Sequence, residues 1–234
     1  MADLPIAEIF GPTIQGEGPY AGRRATFVRL GGCNLSCSWC DTSFTWDSDR
    51  HNLRDTISPM PVDHIVEETM RRDGVVVVTG GEPLLHHRSP AFYDLLTTLR
   101  SRGRQIHLET NGTIYPGGDI VGLFDVISLS PKLANAGPHR GSQSAAFASG
   151  WGASSGFTEI HLKIVCESRE DVSVAASFAK ELGWRSDRVW VMPQGIDARQ
   201  LESRWPTIAQ AAVDFGVNAT NRLHVLAWGD ERGR

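Results

Sequence analysis

The alternation of short apolar runs with helical patterns limits the fold of this chain more than any other feature of its sequence. Residues 75–79 read Val-Val-Val-Val-Thr, and similar β-branched runs recur along the chain. Strands that are apolar on both faces and alternate with helices are typical of a parallel sheet covered by helices. The number of units in 234 residues favours an α/β fold with an open, partial parallel β/α barrel, since a complete eight-fold barrel needs about 250 residues.

These patterns predict seven strands and four helices. The predicted strands cover residues 26–30, 75–79, 105–109, 126–129, 159–165, 189–192 and 222–227. The predicted helices cover residues 63–72, 90–101, 169–182 and 201–215, with Asp63 and Ser89 as the N-caps of the first two. Polar signatures follow the carboxyl ends of the strands, which is the edge where α/β sheets build their sites.

The composition predicts one globular domain over residues 1–234. Hydrophobic residues make up 41% of the chain and charged residues 21%, a balance that excludes a disordered chain. The net charge of −4 gives no electrostatic footprint for nucleic acid or an anionic membrane. We find neither a signal-peptide pattern nor an apolar run that could span a bilayer, and we therefore expect a cytoplasmic protein.

Residues 134–156 are rich in Gly, Ala and Ser. This composition predicts a flexible surface loop within the domain. Two interpretations stay open, because a long loop can be a tolerated insertion or an active-site lid.

Three of the four cysteines lie within eight residues, as Cys33, Cys37 and Cys40 in the spacing C-x3-C-x2-C. Three thiolates on one short loop can each bind a different iron of a [4Fe–4S] cluster. The fourth iron would then lack a protein ligand and could chelate the amino and carboxylate groups of a small molecule. The spacing alone also allows a zinc site in which Cys166 or a histidine supplies a fourth ligand.

The cysteine loop, with Trp39 before its last cysteine, and the segment Gly80-Gly81-Glu82-Pro83 resemble the radical S-adenosylmethionine (radical SAM) superfamily. A longer series of motifs is similar to the 7-carboxy-7-deazaguanine synthase family of the queuosine and deazapurine pathway. Those motifs are residues 8–18 (EIFGPTIQGEG), Arg29, residues 40–42, 79–83, 109–112 and 130–132. The resemblance runs from residue 8 to residue 224 and implies a partial barrel of the radical SAM type.

This resemblance implies a radical SAM lyase that contracts the ring of 6-carboxy-5,6,7,8-tetrahydropterin and releases ammonia. The implied cofactors are a [4Fe–4S] cluster, S-adenosylmethionine and Mg²⁺, and the cofactors supply the radical, so no catalytic side chain is expected. The implied partners are the pterin, an electron donor of the flavodoxin or ferredoxin type, and a second copy of the chain in a homodimer. The alternative is an activase that generates a glycyl radical on a partner protein.

The resemblance also implies the residues of the site. The metal ligands would be Cys33, Cys37 and Cys40 for the cluster and Thr42 for Mg²⁺. The cofactor-binding residues would be Trp39, Cys40, Asp41, Gly81, Glu82, Glu109, Asn111, Ser130, Pro131, Lys132, Met192, Pro193, Gln194 and Gly195. The substrate-binding residues would be Ile14, Gln15, Gly16, Arg29, Thr79 and His224. The chain continues beyond His224 for longer than some relatives, which leaves the role of residues 225–234 in substrate binding open.

Overall fold

Nine strands form one sheet in the computed structural model, which describes residues 3–153, 158–229 and 231–233. The strands are β1 (Asp3–Ile14), β2 (Arg24–Leu30), β3 (Ser58–Pro61), β4 (Val75–Gly80), β5 (Ile106–Thr110), β6 (Val126–Leu129), β7 (Glu159–Cys166), β8 (Val189–Pro193) and β9 (Asn218–Ala219). The α-helices of the described residues are α1 (Leu53–Thr56), α2 (Val62–Met70), α3 (Pro90–Ser101), α4 (Gly118–Val121), α5 (Arg169–Glu181), α6 (Ala198–Phe215) and α7 (Leu223–Trp228).

The strands are arranged in the order β3-β1-β2-β4-β5-β6-β7-β8-β9, so the sheet is open. From β2 to β9 all neighbours pair in parallel, which confirms the predicted partial barrel. The edge of the sheet formed by β3, β1 and β2 is antiparallel, since β1 runs antiparallel to both β2 and β3. The sequence patterns did not predict these antiparallel pairs. The pairing of β1 with β2 shifts its register between Phe10 and Thr13, where Gly11 and Pro12 lie.

The apolar run of β4 is explained by burial on both faces. Val76 and Val78 pack in the main core with Phe92 and Leu95 of α3. Val77, on the opposite face, packs in a second cluster inside the curved sheet. A strand that is covered on both sides excludes water from its whole length, and this is why a continuous apolar run predicted it correctly.

The four predicted helices are confirmed, with errors at two helix starts. One of them is the start of α6, which begins at Ala198 and not at residue 201. Pro90 begins α3, and Ser168 begins α5 with a reciprocal capping box that involves Asp171. The prediction that Asp63 is an N-cap was wrong. Pro61 occupies the N-cap of α2, and Asp63 lies in its first turn, where a carboxylate still favours the positive end of the helix dipole.

The predicted last strand over residues 222–227 was also wrong. This segment forms α7, and its backbone bonds run from Leu226 N to Arg222 O and from Gly229 N to Val225 O. The sheet ends earlier, at the two-residue strand β9, after which the chain turns across the carboxyl ends of the strands. Alternating apolar residues had suggested a strand, but Val225 is the one apolar residue of α7 that is buried.

The described part of the predicted loop at 134–156 packs against the cysteine loop. Ser38 N donates to Ala136 O at 2.8 Å, and Trp39 Nε1 donates to Asn135 O at 2.8 Å. Trp151 is fully buried and donates from Nε1 to Gly112 O. Residues 154–156 of this prediction lie outside the described residues. Across the described ranges we find no helix long and apolar enough to cross a membrane.

Candidate active site at the carboxyl ends of the strands

One cavity at the carboxyl ends of the parallel strands collects nearly all of the predicted site residues. They reach it from the carboxyl ends of β1, β2, β4, β5 and β8, from the loops that follow β1, β2, β4, β5, β6 and β8, and from α7. The predicted residues that line it are Ile14, Gln15, Gly16, Arg29, Cys33, Cys37, Trp39, Cys40, Asp41, Thr42, Thr79, Gly81, Glu109, Asn111, Ser130, Lys132, Met192, Pro193, Gln194 and His224. Three predicted residues, Glu82, Pro131 and Gly195, are not part of this lining.

The cysteine loop leaves the end of β2 and presents all three of its sulfur atoms to the cavity. Cys33, Cys37 and Cys40 are free thiols. Leu35 N donates to Cys33 Sγ at 3.4 Å, and Trp46 Nε1 donates to Cys40 Sγ at 3.3 Å. Such bonds to sulfur stabilise the thiolate form and orient the side chains toward the shared space.

The donor set fits a [4Fe–4S] cluster better than a zinc ion. In the residues that the structure describes, no three His, Cys, Asp or Glu side chains are arranged to hold a single metal ion. Zinc requires ligands that converge on one point, whereas the thiolates of a cubane cluster bind different irons. Burial raises the pKa of Cys33 to about 12 and also raises the pKa of Cys37, so both thiols keep their protons at neutral pH until a metal displaces them.

The loop after β4 lies directly against the cysteine loop. Glu82 N donates to Gly32 O at 2.8 Å. A β-carbon at Gly81 would lie 2.3 Å from Gly32 O and 2.8 Å from the β-carbon of Cys33. Only glycine permits this approach, so the Gly-Gly-Glu segment sets the depth at which the cysteine loop lies in the cavity.

Glu82 has a buried carboxylate that faces the protein interior. It accepts hydrogen bonds from Leu84 N at 2.9 Å, Asn111 N at 2.7 Å and Thr110 Oγ1 at 2.8 Å. Burial raises the pKa of Glu82 in spite of these bonds. The side chain therefore joins the loops after β4 and β5, and its carboxylate is not presented to the cavity.

A network of buried charges forms the floor of the cavity. Lys163 Nζ lies 2.5 Å from Glu17 Oε2 and 3.1 Å from Glu109 Oε1. Glu109 also accepts hydrogen bonds from Gln15 Nε2 at 3.1 Å and from Thr79 Oγ1 at 3.0 Å. Glu109 thus orders three of the strand ends around one carboxylate.

These contacts determine the protonation states on the floor. Burial by itself would raise the pKa of Glu17, but Lys163 and Arg222 hold it well below its usual range. Burial likewise opposes the charge of Lys163, but Glu109 and Glu17 raise the pKa of its amine. The floor therefore carries two carboxylates and one ammonium group at neutral pH, with their charges partly compensated.

Arg222 connects this floor to the cysteine loop. Its Nε donates to Glu17 Oε1 at 2.8 Å, and its Nη2 donates to Asp41 Oδ2 at 2.5 Å. Its Nη1 donates to the carbonyl oxygen of Gly195 at 2.5 Å. Gly195 therefore contributes to the site through its backbone, which holds the loop after β8, although it does not line the cavity.

The opposite wall combines aromatic rings with a second guanidinium group. The rings of Phe10 and Phe27 stack with centroids 4.9 Å apart. Arg29 lies over Phe10 and donates from Nε to Glu8 Oε1 at 2.7 Å. Arg29 also lines the cavity, and a guanidinium group can bind a carboxylate ligand with two parallel hydrogen bonds.

Near the cysteine loop, Lys132 lies 5.5 Å from the centroid of the Trp39 ring and donates to Ser130 Oγ at 2.9 Å. Asn111 Nδ2 donates to Asn34 Oδ1 at 2.9 Å and so ties the loop after β5 to the cysteine loop. These residues surround the cluster ligands with donors and one cation, a suitable environment for a ligand that carries a carboxylate.

Several residues that line the cavity were not predicted from the sequence to be site residues, and Glu17, Lys163 and Arg222 are the most important of them. Lys163 could have been noticed from the sequence, because it is a lysine within the apolar run that forms the second half of β7. Lysine is almost never fully buried without a partner, so that position predicts a buried ion pair. Arg222 gave no such signal, since it lies in a segment that was predicted to be a strand.

Comparison with known proteins agrees with this geometry. The model of the radical SAM superfamily matches residues 27–126, which include the three cysteines. A 7-carboxy-7-deazaguanine synthase from Pyrobaculum aerophilum is 35% identical over 231 residues, which cover 98% of this chain and 96% of that protein. The synthase of the same name from Bacillus subtilis is 32% identical over 246 residues and covers 98% of each chain.

The fold has a counterpart among solved structures as well. The crystal structure of QueE from Escherichia coli superposes with a TM-score of 0.64 at 23% sequence identity, over 95% of each chain. At that identity the likeness concerns the fold, whereas the full-length relatives carry the assignment to a family. This chain belongs to the 7-carboxy-7-deazaguanine synthase family of the radical SAM superfamily.

Proposed function

We propose that this protein converts 6-carboxy-5,6,7,8-tetrahydropterin into 7-carboxy-7-deazaguanine and ammonia, in queuosine or deazapurine biosynthesis. The observation that carries the proposal is that three free thiols line the same cavity as Gln15, Thr79 and Arg29. The atoms of the pterin equal those of the product plus ammonia. The conversion therefore needs a radical start but no net oxidant.

When bound, the [4Fe–4S] cluster and S-adenosylmethionine supply the radical that starts the reaction. Cys33, Cys37 and Cys40 would hold the cluster. The remaining cofactor contacts would come from the other lining residues predicted for this role. Glu82 and Gly195 would contribute by ordering their loops, since Glu82 binds Asn111 N and Gly195 O binds Arg222.

Charge complementarity supports the pterin as the second ligand. A pterin presents hydrogen-bond donors on its aminopyrimidinone ring, and the cavity floor offers the carboxylates of Glu17 and Glu109 as acceptors. The substrate carboxylate would bind Arg29, whose guanidinium group is oriented by Glu8. The stacked rings of Phe10 and Phe27 would exclude water from that end.

Thr42 is the proposed ligand for Mg²⁺. It lines the cavity directly after the cysteine loop, with its Oγ1 at 3.7 Å from Cys40 Sγ. One neutral hydroxyl group binds Mg²⁺ weakly, so substrate oxygens and water would have to complete its octahedral shell. The metal site would therefore form only together with the substrate.

The partners belong to the same proposal. A small-molecule substrate suits a cavity that is walled by buried ion pairs. We further propose a flavodoxin or ferredoxin as electron donor, a homodimer, and a cytoplasmic location. Size-exclusion chromatography with light scattering tests the dimer; a monomer at micromolar concentration would contradict it.

The test of the function is anaerobic incubation of reconstituted protein with the carboxypterin, S-adenosylmethionine, Mg²⁺ and a reductant. We expect 7-carboxy-7-deazaguanine and ammonia in equal amounts, identified by mass spectrometry. A sample with a complete cluster that cleaves S-adenosylmethionine but forms no deazaguanine would reject the synthase. Such a result would favour the activase alternative, which needs no pterin.

A further inference from the structure

We propose that Arg222 is a positioning residue that holds the cofactor end of the cavity at a fixed distance from the substrate end. The inference rests on the proposed function, because it assigns the two ends to S-adenosylmethionine and to the pterin. Arg222 is outside the cysteine loop and outside the segment around Gln15, yet it is bonded to both. It would act through those segments and not on the reacting atoms.

The geometry uses every face of one guanidinium group. Nε donates a hydrogen bond to Glu17, and Nη2 donates to Asp41. Nη1 donates to the carbonyl oxygen of Gly195. Glu17 directly follows Gly16 of the substrate segment, and Asp41 directly follows the cluster ligand Cys40. A movement of either segment would therefore break a bond to a group that the other segment also uses.

Burial makes this arrangement rigid. The Arg222 side chain is 9% exposed and that of Glu17 is 12% exposed, whereas that of Asp41 is 33% exposed. Water cannot replace a lost bond between Arg222 and Glu17, so breaking that contact leaves a buried charge without a partner. The bond to Asp41 is partly open to water and is held by the fixed position of the guanidinium group. A planar guanidinium group fixes the directions of its three bonds, whereas the ammonium group of lysine is a single point of charge on a flexible chain.

The balance of buried charges in the cavity also supports a positioning role for Arg222. The carboxylates of Glu17, Asp41 and Glu109 are close to only two buried cations, Lys163 and Arg222, among the described ion pairs of the cavity. Lys163 compensates one of the two negative charges of Glu17 and Glu109. Without Arg222, Asp41 would lose its ion-pair partner in this network, and the cysteine loop would lose its link to the floor.

The consequence for catalysis is geometric. Hydrogen-atom transfer requires the radical centre and the C–H bond to lie in contact, and a misplacement of about 1 Å can reduce a rate by about 100-fold. If the contacts of Arg222 with Glu17 and Asp41 were weakened, S-adenosylmethionine could be cleaved without abstraction of the substrate hydrogen. The expected sign of the defect is a higher ratio of 5′-deoxyadenosine formed to deazaguanine formed.

The first experiment compares Arg222→Lys with Arg104→Lys. Arg104 is a suitable control because it also satisfies several backbone carbonyls, those of Thr69, Arg72 and Gly74, outside the cavity lining. We expect Arg222→Lys to retain its iron and sulfide, to lower kcat by about 10- to 100-fold and to raise the ratio of deoxyadenosine to product at least several-fold. Arg104→Lys should lower stability and leave the ratio unchanged.

A second measurement needs no turnover. Glu17→Gln and Asp41→Asn share one guanidinium partner, so their effects on the unfolding midpoint of the cluster-free protein should be non-additive. In the Arg222→Lys background this coupling should become smaller, and what remains should reflect the direct repulsion between the two carboxylates. The measurement remains possible if Arg222→Lys folds poorly, because the single and double variants in the wild-type background already measure the coupling of Glu17 and Asp41 through Arg222.

The outcomes separate this inference from the proposed function. A wild-type protein that forms deazaguanine, with an unchanged ratio in Arg222→Lys, would overturn the positioning role. Additive effects of Glu17→Gln and Asp41→Asn would overturn it as well. A non-additive cycle in a protein that forms no deazaguanine would instead reject the synthase and leave the joint between the two segments standing.

Discussion

The imidazole ring of His224 lies against the α-carbon of Gly16. A β-carbon built on Gly16 would be 1.8 Å from Nδ1 of that ring. The backbone adds a further link, since Leu223 N donates to Gly16 O at 2.9 Å. Helix α7 therefore closes over the substrate segment, and this contact exists only because residue 16 has no side chain.

Gly16→Ala should displace α7 from the cavity. We expect a loss of about 1–3 kcal/mol in unfolding free energy from overpacking and at least a ~10-fold weaker binding of 6-carboxypterin, followed by its fluorescence. The second-site variant His224→Ala should restore most of the stability. Gly118→Ala is the control, since a β-carbon there meets no atom within 4 Å; equal effects at both glycines would contradict the packing account.

Cys37→Ala should abolish the cluster without unfolding the domain. Two cysteines cannot hold a cubane cluster that needs three protein ligands. Iron and acid-labile sulfide should fall to background, while the circular dichroism spectrum stays the same. Cys166→Ala is the matched control, because Cys166 is buried in the main core and should leave the cluster content unchanged. Full iron content in Cys37→Ala would refute the ligand assignment.

Thr42→Val should weaken the response to magnesium. The substitution keeps the shape of the side chain and removes its only oxygen, so half-maximal activation should require about 10-fold more Mg²⁺. Binding of S-adenosylmethionine should change little, and Thr42→Ser should behave like the wild type. An unchanged magnesium dependence in Thr42→Val would remove this residue from the metal site.

Lys163→Met should make the protein less stable as the pH rises. In the wild type the contacts with Lys163 help to keep the pKa values of Glu17 and Glu109 below normal. Those carboxylates therefore contribute stability above about pH 4.5, and it is lost as the pH falls through their lowered pKa values. Without the amine, burial should raise the pKa of Glu109, and Glu17 keeps only Arg222 as its cationic partner, so charging both carboxylates becomes less favourable.

The deficit of Lys163→Met should reach about 3–5 kcal/mol near pH 7 and shrink toward pH 4. Urea unfolding of the cluster-free protein at a series of pH values measures it. Arg24→Met is the control, because the ion pair between Arg24 and Asp73 is exposed and should contribute under about 1 kcal/mol. A deficit that is independent of pH would show that Lys163 acts through packing and not through charge.

Local sequence determined much of the fold and a large part of the site. The run of valines in β4 is apolar because both faces are buried, and a residue-by-residue pattern records that requirement. The cysteine spacing and the Gly-Gly-Glu segment could also be recognised from the sequence, since each motif lies within a few consecutive residues. Parallel strands then bring their carboxyl ends to one edge, so motifs that are far apart in sequence were expected to meet.

Tertiary structure alone decided the partners of the buried charges and the form of the chain's last segment. Lys163 and Glu17 are 146 residues apart, and Arg222 and Asp41 are 181 residues apart, so no local pattern pairs them. The segment after Arg222 alternates like a strand but folds as α7, because the sheet has already ended at β9. Burial makes these long-range pairings obligatory, since a charge that leaves water must find its counter-charge wherever the fold places it.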